Sequence, residues 1–254
     1  MKSIKIYALA LGLLAVFAGC QNDVVKPLEN DKEAPAPVRD VTYTKMSGSV
    51  LLTYTLPSDP DLLYVAASYT NKAGKKYEFK ASYFTNTLLV EGFGDTDTYS
   101  LDVYAVDRSE NYSEPVNIQV AADTPPVQAA YETLEVQPDF GGMTFSFDNA
   151  SKADLTVYVS TPNADNEMVN AETFYTGLAK ATFSVRGFLD VPRDFEICFE
   201  DKWGNRSPVK KENLTPIYEA ELDKKKFKEV ILPGDFPCTF YESKMEYIWD
   251  GRAA

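Results

Sequence analysis

Trp203 stands in the run Asp201-Lys202-Trp203-Gly204-Asn205, whose composition is that of a tight hairpin tip. An indole there can stack on the apolar face of a pyranose, with Asp201, Lys202 and Asn205 beside it to bond hydroxyls. The other reading folds Trp203 down over the end of its own domain or against a neighbouring one. Trp249-Asp250-Gly251 carries the second aromatic–acid pair, with Trp249 and Asp250 as further candidate ligand contacts. Three acidic clusters, Asp59-Pro60-Asp61, Asp95-Thr96-Asp97 and Asp165-Asn166-Glu167, are dense enough in oxygen to interest Ca²⁺. None has the spacing of a calcium loop, and each falls where a turn is expected, so they read as solvated turns and no metal is assigned. The chain contains no histidine, which removes Ser-His-Asp and Cys-His machinery, histidine-containing zinc sites and haem ligation together. Carboxylate-only catalysis remains open in principle. Among 38 acids no pair stands out, and the expectation is a non-catalytic protein without a cofactor.

The elements that would position these residues are strands. Val50, Leu52, Tyr54 and Leu56 share one parity, as do Leu63, Val65 and Ala67, and Tyr99, Leu101, Val103 and Ala105. Period-2 alternation of this kind buries one face of a strand. Pro57 to Pro60, Asn71 to Gly74, Gly92 to Asp95 and Asp107 to Asn111 supply the turns between them. The plan recurs downstream, where Thr144 to Phe147 form one strand, Leu155, Val157 and Val159 line another, and Phe195, Ile197 and Phe199 a third. Leu89 to Phe93 echoes Ser184 to Phe188, and Asp107 to Asn111 with Ser113 and Pro115 echoes Asp201 to Asn205 with Ser207 and Pro208. Two tandem copies of one antiparallel sandwich account for this. Cys198 lies inside one of these strands and reads as a small buried hydrophobe. An exported compartment would permit a disulfide, but Cys198 and Cys238 fall in different modules and their pairing is open.

The chain begins with Lys2 and Lys5, continues through an apolar run from Ile6 to Ala18, and closes it with Gly19-Cys20. The run is too short to span a bilayer and has the length of a secretory signal. Phe17-Ala18-Gly19-Cys20 resembles the lipobox of bacterial lipoproteins, with Phe17 in place of the usual Leu or Val. That resemblance implies cleavage before Cys20 and acylation of its thiol; an ordinary signal peptide containing a cysteine is the alternative. Losing the segment before Cys20 removes two lysines and no acids, taking the net charge from −13 to −15. Such a surface repels phosphate backbones and anionic lipid heads, so no nucleic-acid partner is expected and membrane attachment falls to the acyl chains. Residues 21–37 are polar and Pro-rich, as a tether is. Asp23 is a single acid near Cys20, where surface-export signals of gut Bacteroidota carry several.

Pro57-Ser58-Asp59 after a strand, and Thr98 to Asp107 near the domain end, resemble a fibronectin type III or related immunoglobulin-like module. The resemblance places Tyr99 at the tyrosine corner, its hydroxyl bonding to upstream backbone, with Phe195 at the matching place in the second copy. Leu232-Pro233-Gly234-Asp235 and Trp249-Asp250-Gly251 resemble the opening of a discoidin-like, galactose-binding-type jelly roll. There the Asp-Gly turn is structural, and at times supports a metal or ligand loop. About 35 residues cannot bury enough surface to stand alone, so the segment is expected to be truncated or to pack on the second sandwich.

The expected organisation is a signal peptide over 1–19, a lipidated tether over 20–37, sandwiches over 38–122 and 125–218, and a discoidin-like beginning over 222–254. The whole is similar to a family of Bacteroidota lipoproteins with two immunoglobulin-like domains and a C-terminal discoidin-like domain. These tend to be encoded beside outer-membrane glycan importers. What that implies is an all-β, outer-membrane-anchored accessory or carbohydrate-binding protein of a glycan-utilisation system, with glycans and importer subunits as partners. A structural or adhesive surface protein, or the non-catalytic part of a surface hydrolase, are the alternatives.

Overall fold

The computed structural model describes residues 31–220, 222–228, 230 and 232–236. Cys20, Cys238, Trp249 and Asp250, the signal peptide, the start of the tether and most of the discoidin-like segment lie outside them. The chain divides into two units, Met1–Pro125 and Pro126–Ala254. Among the described residues, no helix is long and apolar enough to cross a membrane.

The first unit contains β1 (Arg39–Met46), β2 (Ser49–Thr55), β3 (Leu62–Thr70), β4 (Lys76–Ser82), β5 (Thr87–Glu91), β6 (Thr98–Asp107) and β7 (Val116–Ala121). They form a sheet β1-β2-β5 and a sheet β4-β3-β6-β7, with every pairing antiparallel. The second unit opens with α1 (Pro126–Glu132) and continues with β8 (Glu135–Asp139), β9 (Gly142–Asp148), β10 (Leu155–Pro162), β11 (Met168–Thr176), β12 (Lys180–Arg186), β13 (Arg193–Asp201) and β14 (Lys210–Leu214). Its sheets, β8-β9-β12 and β11-β10-β13-β14, repeat the order of the first. This three-on-four arrangement is the fibronectin type III form of the immunoglobulin-like sandwich. Among the described residues the chain is all-β apart from α1 and one 3-10 turn at Lys224–Lys226.

The internal echo is a set of shared backbone bonds. Gly48 and Gly141 both have positive φ, and their carbonyls accept from Phe93 N (3.1 Å) and Phe188 N (2.9 Å). Gly92 and Gly187 precede those phenylalanines with φ of 89° and 99°, a region in which a side chain is strained. In each unit the chain after the last strand returns alongside the first. Asp123 N donates to Met46 O and Ile217 N donates to Asp139 O.

The cores follow the predicted parity. Val50, Leu52, Tyr54, Val65, Ala67, Leu101, Val103 and Ala105 are buried in the first unit. Phe145, Phe147, Leu155, Val157, Val159, Phe195, Ile197 and Phe199 are buried in the second, joined by Val127 and Ala130 of α1. Leu63 departs from its expected place. The β3–β6 register slips between Leu62 and Tyr64, so Leu62 takes the inner position and Leu63 is turned out. Cys198 departs too. It alternates with the inward Ile197 and Phe199, so parity puts it on the outer side of β13, half-buried, with a free thiol 3.5 Å from Ser207 O.

The corner expected at Tyr99 is built otherwise. Its hydroxyl donates to the Asp95 carboxylate (3.1 Å), whereas Tyr69 and Tyr54 reach backbone, at Glu91 O (2.9 Å) and Thr87 O (3.3 Å). The equivalent hairpin bonds align Ala105 with Phe199, which places Phe195 opposite Leu101 and Arg193 opposite Tyr99. Arg193 stacks 4.7 Å over Phe188 and donates to Pro162 O (2.8 Å). What the two positions share is packing on the equivalent phenylalanine, Tyr99 on Phe93 (5.2 Å between centroids) and Arg193 on Phe188. The stretch read as tether also differs at its described end. Pro35 is buried, Asp31 N donates to Ser109 Oγ (3.2 Å), and Asn111 Nδ2 donates to Asp31 Oδ1 (3.0 Å).

Candidate functional site

The hairpin after β13 is held by one carboxylate. Asp201 Oδ1 accepts from Trp203 N and Asn205 N, both at 2.9 Å, and Oδ2 accepts from Asn205 Nδ2 at 2.9 Å. Gly204, with φ of 84°, completes the turn by donating to Asp201 O. Downstream, Ser207 Oγ accepts from Phe199 N (3.0 Å) and donates to Pro208 O (2.8 Å). The first unit builds the same frame. Asp107 accepts from Ser109 N, Asn111 N and Asn111 Nδ2, and Ser113 Oγ accepts from Ala105 N. Asp201 and Asn205 are therefore bonded to each other as parts of the loop, in a pattern that serves both copies. Trp203 takes the position of Ser109, so the frame itself does not call for an aromatic.

Around this tip the second unit opens a cleft of about 400 Å³, lined by Asp154, Leu155, Thr156, Tyr175, Thr176 and Gly177, with Lys202 from the hairpin. Tyr175 is 76% exposed. Lys202 carries its ammonium 5.1 Å over the Trp203 ring. Trp203 is half-buried, Asp154 is exposed, and two threonines and an ammonium lie within the same cleft edge. The cleft thus presents one exposed phenol with two threonine hydroxyls, a carboxylate and an ammonium, and Trp203 stands next to it in the hairpin that supplies Lys202. The sequence singles out Trp203 but not Tyr175 or Asp154, which line this cleft. Their signal was the Tyr175-Thr176-Gly177 turn, which joins the hairpin tip only through the β11-β10-β13 pairing.

Two acidic groups have structural roles. Burial alone would raise the Asp95 carboxyl, but the Lys72 ammonium (2.7 Å), the Asp97 N–H and the Tyr99 hydroxyl together hold it below the usual carboxylate range. The Phe140 N–H, the Ser184 hydroxyl and Arg186 hold Asp139 low in the same way. Elsewhere, Asp31, Asp61 and Asp107 bring oxygens within 4.8 Å of one another, a juxtaposition that no turn sequence revealed. A hydrogen bond with Asp59 and then burial raise the Asp61 carboxyl. The oxygens of Asp107 are already taken by Ser109 N, Asn111 N and Asn111 Nδ2, so the group is a structural knot.

Residues 35–122 match a family described as a domain of unknown function (DUF4959), and residues 123–225 match a second domain of unknown function (DUF5126). The boundary between the two matches falls beside the boundary between the two units. No curated protein matches the chain. Among solved structures, the chain is similar to the SusE-like protein BT2857 at 32% identity, over 50% of this chain and 45% of that one, with a TM-score of 0.34. It thus spans under half of that protein. It is also similar to a two-domain fibronectin type III segment of chicken tenascin at 15% identity, over 70% of this chain and 99% of that one, with a TM-score of 0.33. The FN1–FN3 domains of chicken CNTN1 match at 11% identity, over 72% of this chain and 68% of that one, with a TM-score of 0.32.

Proposed function

We propose that this chain is a lipid-anchored accessory protein of a bacterial cell envelope that holds carbohydrate for a glycan-utilisation system and performs no chemistry on it. The observation that carries the reading is the Trp203 hairpin. One loop frame is built twice, and in the second copy its variable position holds an indole beside a cleft lined by Tyr175, threonines, Asp154 and Lys202. The basic start, short apolar run and Gly19-Cys20 support an acyl anchor at Cys20. The overall pattern of lipobox, tandem immunoglobulin-like domains and discoidin-like opening supports the glycan context and importer subunits as partners. A chain with net charge −13 favours neutral over anionic polysaccharides.

Isothermal titration of the full-length gene product against plant and mucin glycans tests this. A neutral glycan is expected to bind, and Trp203→Ala is expected to weaken it about tenfold, a loss of about 1.4 kcal/mol. Silence across the whole panel would sink the reading.

A further inference from the structure

The outer face of the sheet β4-β3-β6-β7 carries a cluster of tyrosines that the core does not use. Tyr64 on β3, Tyr104 on β6 and Tyr112 just beyond the β6 hairpin meet there. The Tyr64 and Tyr112 hydroxyls are 3.3 Å apart, and the Tyr104 and Tyr112 rings lie edge to face with centroids 5.6 Å apart. Lys80 of β4 places its ammonium 4.7 Å over the Tyr64 ring and is neutralised by Glu78 (3.1 Å). Ala66 and Val106 point outward by parity yet are 1% and 0% exposed, so side chains of this face cover them. Beside it, Asn117 donates to Asp102 (2.9 Å) and Ser100 (2.7 Å), a row of short polar groups on the same face.

The second unit shows that the fold does not require this. The positions of Tyr64, Tyr104 and Tyr112 are there Thr156, Cys198 and Arg206. Arg206 stacks 5.3 Å over Tyr158 and pairs with Glu200 (2.5 Å). One copy closes the place with an ion pair, and the other fills it with two half-buried phenols, Tyr64 and Tyr104, and an exposed one, Tyr112, at 44%.

The geometry points to a second carbohydrate contact on this face, at which one neutral sugar unit packs against the exposed ring of Tyr112, held in place by the edge-to-face contact with Tyr104, and bonds to the phenols and Lys80. The occupant follows from the chemistry of the surface. Its exposed apolar area is aromatic, with polar tips at the ring edges, which suits a ring carrying C–H faces and equatorial hydroxyls. The contacts that build the cluster are among the three phenols and Lys80. Its one cation is already paired, so it offers nothing to an anionic ligand in a chain of net charge −13. The hydrogen bond with Tyr64, and then burial, push the Tyr112 phenol up to about 12.

This contact rests on the proposed carbohydrate reading and adds a place to it. Native affinity gels of the full chain containing xyloglucan, galactomannan, laminarin or amylopectin test it, with polygalacturonate as the anionic control. The wild type is expected to be retarded by at least one neutral polymer and not by polygalacturonate. Tyr104→Ala and Tyr112→Ala are each expected to weaken that retardation tenfold or more, while Tyr112→Phe, which keeps the ring, retains most of it. Circular dichroism melts of the variants show that the fold survives, and the Phe variant separates lost stacking from lost folding. Retardation of both Ala variants equal to wild type would overturn this contact while leaving the Trp203 site and the function standing. No retardation of the wild type by any neutral polymer would overturn both.

Discussion

Asp107 and Asp201 are the residues on which each copy's last hairpin depends. Each carboxylate satisfies two backbone N–H groups and an asparagine amide. Asp107→Ala, at a fully buried site, leaves those donors without a partner and is expected to cost about 3 kcal/mol, read from urea denaturation. At Asp95 the effect is on pH. Its folded pKa lies below its unfolded value, so its contribution is complete above about pH 4 and is lost as pH falls through the folded value. Between pH 5 and 2.5 the urea midpoint of wild type is expected to fall more steeply than that of Asp95→Asn. Equal slopes would remove Asp95 from the account. The sequence showed these acids as turn formers, which the structure bears out for Asp201 and Asp107. Their consequence for the candidate site was not visible, because a carboxylate facing solvent and one folded back onto its own loop have the same sequence.

At the scale of elements, register decides more than composition. Alternation marked the strand at Leu62 to Thr70, yet the slip beside Leu62 turned Leu63 outward. Cys198 went to the outer side for the same reason of parity. Helix α1 was not foreseen because seven residues are too few to show a period; Pro126 begins it, and burial of Val127 and Ala130 keeps it in place. Close approach sets another limit. A Cβ on Gly142 would stand 1.8 Å from Val185 O across the β9–β12 pairing, whereas one on Gly74 meets nothing within 4 Å. Gly142→Ala is therefore expected to lose more than about 3 kcal/mol, and Gly74→Ala only the 1–2 kcal/mol of its left-handed backbone. Thermal melts that ranked the two the other way would contradict the β9–β12 geometry.

For the molecule as a whole, two sandwiches of one topology would be carried by a single acylated residue. Cys20→Ser is expected to abolish incorporation of labelled palmitate, and globomycin to leave the unprocessed precursor in wild type. Labelling that persisted in the serine variant would dismiss the anchor. The two cores differ in filling although their strands match. Tyr69 stacks on Phe93 at 4.6 Å in the first, and Phe147 meets Phe199 edge to face at 4.7 Å in the second.

The amino-acid order alone marked the central strands of each copy, several of the turns, the repeat and the lack of histidine, since period-2 alternation and turn residues are local properties of the chain. Tertiary structure decided which outward residues meet. Tyr64, Tyr104 and Tyr112 come from separate segments, and Tyr175 shares a cleft with Lys202 only across paired strands. The physical reason is that neighbours across a sheet are set by long-range hydrogen-bond register, which is fixed only when both cores close.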